Sequence, residues 1–226
     1  MKERLKYRAF KDAAFQSGSF FVGIDFEFGD LFWKRKQKNN GKERIILKEV
    51  IILTSKNYKD ADIKNYGDCI LINTGTELVI YDCGSEEHAN TVIEYMSNNG
   101  FEKAKFILSH NDSDHFNGLE KLLNEDKISV IRTTLLLKYV DEILKKIDDR
   151  RRTREGVKKQ ILELYDNIAK LSGAPIEDIY EHPEDLCDEV SIVGPDFQYM
   201  IETVAKRLDG REGDTMDGET AVNATS

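Results

Sequence analysis

His110, Asp112, Asp114 and His115 stand within six residues of one another, in the run His110-Asn111-Asp112-Ser113-Asp114-His115. The chain of 226 residues holds only four histidines, so half of them sit in this one segment. Two aspartates this close repel unless a cation lies between them. A divalent metal removes that cost, and imidazole and carboxylate are donors it takes. The plainer alternative is an Asp-rich turn in which Ser113 or Asp114 caps a helix starting at Phe116. That alternative leaves His110, and the position of the whole set, without a reason.

Several elements must hold this run in place. Lys105–Ser109 reads as a strand that leads directly into it, and Phe116–Asn124 as a helix with Leu119, Leu122 and Leu123 on one face. Upstream, Ile45–Thr54 and Asp68–Thr74 read as strands. Gly75-Thr76 makes a tight turn, and Glu77–Asp82 returns as a third strand. Cys83-Gly84-Ser85 breaks that strand. Ser85 can cap a helix whose first turn carries Glu86 and Glu87, whose stripe is Val92, Ile93 and Met96, and which Gly100 ends. Downstream come a short strand at Ile128–Arg132 and a helical stretch over Leu135–Leu171, broken at Asp148–Arg152 and ended by Ser172-Gly173-Ala174-Pro175. A strand at Glu189–Val193, a Gly194-Pro195 turn and a helix over Phe197–Leu208 complete the pattern. Ser19–Phe28 suggests a strand, and Lys34–Lys42 a basic turn at a hairpin tip. After Asp209 no apolar pattern remains. Strands alternating with helices after an opening set of turn-linked strands predict an α/β domain with a mixed sheet and flanking helices.

The bulk composition excludes some functions. A net charge of −9 argues against a general nucleic-acid coat, which needs a cationic footprint. It does not exclude an enzyme for phosphates, because bound cations reverse the local field. Cys69, Cys83 and Cys187 are scattered with no CxxC pair, the pattern of a reducing compartment. The N-terminus has no apolar signal region, and the apolar runs are strand-sized. A cytoplasmic protein with no membrane contact is expected.

At the His/Asp run the chain resembles the metallo-β-lactamase superfamily, which carries a His-x-His-x-Asp-His loop after a strand. Here Ser109 to Leu119 fits, with Asp112 in place of the second histidine. Gly67–Ile72 and Val79–Gly84 look like the family's opening strands and its Asp-x-Gly turn. Within the superfamily, the chain most resembles hydrolase-like proteins related to the soluble part of bacterial competence DNA-uptake channels. Shared features are the Asp-for-His exchange, an Arg-rich helical insertion at Asp149–Glu155, and a strand–Gly-Pro–helix segment at Val190–Pro195.

The resemblance implies an αββα-type fold. Residues 1–45 would form an N-terminal extension, a β-hairpin. Residues 46–226 would be the N-terminal half of the domain, with a helical insertion at about 134–172. In the family an Asn/Ser-rich stretch like Asn223–Ser226 precedes the segments that supply the remaining ligands. The expectation is therefore a half-domain truncated before its second ligand set, with the missing C-terminal half supplied in cis or in trans, and with oligomerisation favoured by an uncovered sheet. Two divalent metals are implied: zinc, with manganese or iron as alternatives because of the extra carboxylate. His110 and Asp112 would hold one metal, and Asp114 and His115 the other. Asp114 would also act catalytically by orienting a water that both metals acidify, and Asp82 would support a ligand histidine. The substrate implied is a phosphodiester, as a small molecule or a nucleic acid.

Two rival readings stand beside this one: a non-catalytic metal-binding or assembly fragment, and a hydrolase of thioesters, esters or lactams. Four other features carry weaker signals. His88 reads as a solvent-facing residue of a first helical turn. His182 is a candidate third ligand or a loop residue. Arg150–Arg154 reads as a solvated helix start before it reads as a phosphate site. Cys69 and Cys83, on neighbouring strands, read as small packed hydrophobes.

Overall fold

Two short apolar runs, Cys69–Ile72 and Leu78–Tyr81, form a hairpin because the turn between them is one that glycine and small polar residues can make. In the computed structural model, which describes residues 22–24, 33–39, 42–53, 67–110, 112–164, 170–181, 187 and 190–209, β4 (Cys69–Asn73) pairs antiparallel with β5 (Leu78–Tyr81). The Asn73 carboxamide oxygen accepts the Gly75 N–H at 2.7 Å, and Thr74 N–H donates to the Glu77 carbonyl at 3.0 Å. Ahead of the hairpin lie β1 (Val22–Ile24), β2 (Trp33–Asn39) and β3 (Lys42–Leu53). Beyond it come α1 (Glu86–Asn99), β6 (Ala104–Ile107), α2 (Ser113–Phe116), α3 (Leu119–Asn124) and β7 (Ile128–Thr133). A 3-10 turn at Leu136–Tyr139 leads to α4 (Val140–Lys146) and α5 (Arg154–Leu164). The described chain closes with β8 (Ile176–Asp178), β9 (Val190–Ile192) and α6 (Phe197–Asp209).

One sheet runs in the order β2-β3-β4-β5-β6-β7-β8. Its strands are antiparallel from β2 to β5 and parallel from β5 to β8. A separate antiparallel ribbon pairs β1 with β9. On one sheet face Leu71, Ile80, Phe106 and Ile131 pack with Val92 and Met96 of α1, Leu119 and Leu122 of α3, and Met200 and Val204 of α6. On the other, Ile72, Val79 and Ile107 pack with Val190 of β9. The central strands are thus covered on both faces, as continuous apolar runs require. Val50 and Ile52 of β3 remain exposed. The α/β mixed sheet with flanking helices is the expected fold class.

Three local features differ from the sequence reading. Of the basic Lys34–Lys42 segment, expected as a turn at a hairpin tip, residues 34–39 belong to strand β2, paired with β3 in a register that joins Asn39 to Lys42. Ile176–Asp178, which no sequence pattern marks as a strand, pairs parallel beside β7. The helix expected over Phe116–Asn124 starts later, at Leu119; Phe116 ends the short α2, and between the two the Gly118 N–H donates to the Cys83 carbonyl at 2.7 Å and ties the chain to the end of β5. By contrast α1 has the ends its sequence encodes. Ser85 Oγ accepts the His88 N–H at 3.1 Å, and Gly100 closes the helix at φ 75°. A cap of this kind contributes about 1 kcal/mol.

Candidate metal centre

Parallel pairing puts the ends of β5 and β6 on the same edge of the sheet, and antiparallel pairing puts the start of β4 there too. Asp68, Asp82, Ser109 and His110 meet on that edge for this reason. The segment from Asp112 to Phe116 folds back over it. Asp68 N–H donates to the Asp114 carbonyl at 3.0 Å, and Cys83 N–H donates to the His115 carbonyl at 2.8 Å.

Asp82 is the hub. It adopts φ 56°, a left-handed conformation that aspartate enters more readily than most residues, and so turns the chain out of β5. Its side chain is fully buried and accepts three hydrogen bonds. Ser109 N–H donates to Oδ1 at 2.8 Å, Ser109 Oγ to Oδ2 at 2.6 Å, and His115 Nδ1 to Oδ2 at 2.8 Å. Since the Ser109 hydroxyl proton goes to Asp82, its oxygen is left to accept from His110 Nδ1, at 2.9 Å. One carboxylate therefore fixes both imidazoles as the Nδ1–H tautomer, one directly and one through a serine. Both Nε2 lone pairs are freed, as metal ligation requires.

Each Nε2 faces a carboxylate. His110 Nε2 lies 3.3 Å from Asp112 Oδ2, and His115 Nε2 lies 3.7 Å from Asp114 Oδ2. The two rings sit with centroids 4.1 Å apart. The histidines are 7% and 15% exposed and the aspartates 24% and 37%, so nitrogen donors line the floor and oxygen donors the open side. Burial, and then the neighbouring His115, push His110 below the ordinary histidine range against the pull of Asp82, Asp112 and Asp114. Burial also pushes His115 down, but the Asp82 hydrogen bond and the charges of Asp82, Asp114 and Asp68 outweigh it, and the net shift is upward. Asp112 stands at the N-cap position of α2 yet makes no capping bond, so the Asp-rich turn is not built to cap.

These donors fit divalent cations in chemistry and in tautomer. They come as two imidazole–carboxylate pairs. Among the described residues, no three His, Cys, Asp or Glu side chains already stand as a closed metal-binding group. Each pair could contribute two ligands, with the remaining positions filled from elsewhere.

A family model described as the metallo-beta-lactamase superfamily matches residues 63–201, more than half of the chain and all of the site above. The chain belongs to the metallo-beta-lactamase superfamily. No curated protein and no solved structure matches it. Superfamily membership carries metal-dependent hydrolysis as the general activity and divalent metals, typically zinc, as the usual cofactor. The match is to the superfamily as a whole.

The structure brings together Asp82, His110, Asp112, Asp114 and His115. His88 is corrected: it is buried, not solvent-facing, and neither ring nitrogen has a hydrogen-bond partner. Burial first of all lowers its basicity. His182, the segment after Asp209, and Asn223–Ser226 lie outside the described residues. The arginine run is structural in large part. Arg151 forks onto Asp149, Arg152 donates to the Leu208 carbonyl at 2.7 Å, and Arg154 donates to Asp141 at 2.9 Å. Cys69 and Cys83 are free and fully buried in the main core. The hydrogen bond its own S–H makes to Cys83, and then burial, push the Cys69 thiol up, away from reactivity. Ser109 is a site residue that residue type and spacing did not mark. No helix among the described residues is long and apolar enough to cross a membrane.

Proposed function

We propose that this chain is a metal-dependent hydrolase whose centre is the two pairs His110/Asp112 and Asp114/His115, and that its substrate is a phosphodiester. The observation that supports this best is the double anchoring of both imidazoles on Asp82, because a packing histidine has no need of a fixed tautomer. Zinc is the proposed metal, with manganese or iron as alternatives. Bound there, divalent cations supply an acidified water and a Lewis acid for the scissile bond. Asp82 and Ser109 hold the rings. The half-buried Asp114 carboxylate is placed to orient a water or accept its proton on the open side. The phosphodiester rests on the resemblance of the Asp112-containing loop to competence-protein-like hydrolases.

The test is metal content and turnover together. The purified chain should hold stoichiometric zinc or manganese and hydrolyse bis(p-nitrophenyl) phosphate, and His110→Ala/Asp114→Ala should lose both. Unchanged metal content in the double variant would sink the assignment. The second reading is a metal-binding module without turnover. It is favoured by the lack of a closed three-donor group among the described residues. Metal bound at the loop with no hydrolysis of phosphodiester, thioester, ester or lactam substrates would select it.

A further inference from the structure

The Asp114 carbonyl oxygen lies in a slot between two glycines. A Cβ added to Gly67 would stand 2.0 Å from it, and one added to Gly84 only 1.8 Å. Those same Cβ positions lie 2.9 and 2.8 Å from the other glycine's Cα, so the slot is as narrow as two bare backbones allow. Gly67 also adopts φ 127°, a region closed to most side chains. The slot is closed by hydrogen bonds through the residue between its walls. Asp68 N–H donates to the gripped carbonyl at 3.0 Å, and Gly84 N–H donates to the Asp68 carbonyl at 3.0 Å.

We propose that Gly67 and Gly84 are positioning residues that grip the Asp114 peptide and thereby set where Asp114 and His115 present their metal-binding atoms. The proposal rests on the metal reading of the loop and adds to it the element that carries precision. Every contact in the slot is backbone on backbone, so nothing flexible can yield. Real Cβ atoms essentially never come closer than 3.0 Å, so relieving the 1.8 Å contact needs a peptide displacement of about 1.2 Å. A working metal site holds its ligands to within roughly 0.2 Å. The displacement exceeds that tolerance several-fold. Asp114 and the residue after it, His115, whose carbonyl accepts the Cys83 N–H, move with that peptide.

The experiment uses the full chain and cobalt(II), whose visible spectrum reports coordination geometry. In the wild type, cobalt binding should slow amide exchange at Asp68, Cys83 and Gly84, none of which is a ligand. Gly84→Ala should bind cobalt about tenfold more weakly or worse, with altered absorption bands and a near-native far-UV circular dichroism spectrum. Gly156→Ala, on α5, should bind as the wild type does, since its Cβ would meet only the Thr153 hydroxyl, at 3.2 Å. If Gly84→Ala does not fold, the wild-type exchange result decides by itself. Cobalt uptake with unchanged exchange at those amides, or wild-type affinity and spectrum in folded Gly84→Ala, overturns the slot. A wild type that takes up no cobalt overturns the metal reading and this inference with it.

Discussion

Replacing Asp82 with asparagine should reverse both histidine tautomers at once. Asp82 Oδ1 accepts the Ser109 N–H at 2.8 Å, which fixes where the asparagine oxygen must go. Its NH2 then occupies the Oδ2 position, where Asp82 accepts from Ser109 Oγ at 2.6 Å and from His115 Nδ1 at 2.8 Å. An NH2 there donates to His115 Nδ1 and moves that ring's proton to Nε2. It also donates to Ser109 Oγ, which turns the serine proton toward His110 Nδ1 and protonates the second Nε2. Neither ring can then ligate until its preferred hydrogen bond breaks. A hydrogen bond to a charged group contributes roughly 1.5–3 kcal/mol. At about 1.4 kcal/mol per factor of ten, that range gives a loss of roughly 10–100-fold in zinc affinity, the usual size for a residue that orients a ligand. The fold should survive, since losing about 2–4 kcal/mol leaves part of a typical stability of about 5–15 kcal/mol. Zinc competition against a chromophoric chelator gives the affinity, and the 15N shifts of the imidazoles give the tautomers. Wild-type zinc affinity in Asp82→Asn, or Nδ1–H rings in the metal-free variant, would refute the reasoning.

Ser109→Ala should release His110 alone and lower zinc affinity by about tenfold, less than Asp82→Asn; an equal or larger loss, measured in the same competition, would contradict the relay. In the metal-free chain the raised His115 contributes stability that is fully present below the unfolded pKa of about 6.5 and is lost as pH rises through the folded value. The stability difference between wild type and His115→Gln in urea titrations should therefore shrink from pH 6 to 8, and a growing difference would be the wrong sign. Arg152→Ala should lower stability by about 1–2 kcal/mol, because its guanidinium holds the Leu208 carbonyl near the end of α6 and Gln160 of α5. Arg150→Ala, on the exposed turn, should leave the melting temperature unchanged.

What could be read from the sequence was local. For α1, the Ser85 cap, the first-turn glutamates and the Gly100 terminus are all encoded within the helix itself. The β4–β5 hairpin followed from two short apolar runs on either side of the Gly75-Thr76 turn. The members of the site were legible by residue type, because imidazole and carboxylate have few other reasons to cluster. What escaped depends on partners distant in the chain. Strand β8 is three residues with two acids, and only its pairing with β7, from Ile176 beside Ile131 to Asp178 beside Thr133, makes it a strand. Strand β2 is nearly all polar and owes its form to β3. Ser109 carries no signal until folding brings Asp82 beside it. The burial of His88 was legible in hindsight. It stands four residues before Val92 and eight before Met96, on the same buried stripe, although the glutamates at 86 and 87 suggested a solvated turn.

The most direct test of the metal centre is zinc-edge X-ray absorption on the chain loaded with one equivalent of zinc. The expected result is imidazole scattering with nitrogen and oxygen ligands at about 2.0–2.2 Å, lost in His110→Ala/Asp114→Ala. Sulfur ligands at about 2.3 Å, which would place the metal at the cysteines, or a wild-type spectrum without imidazole, would contradict it.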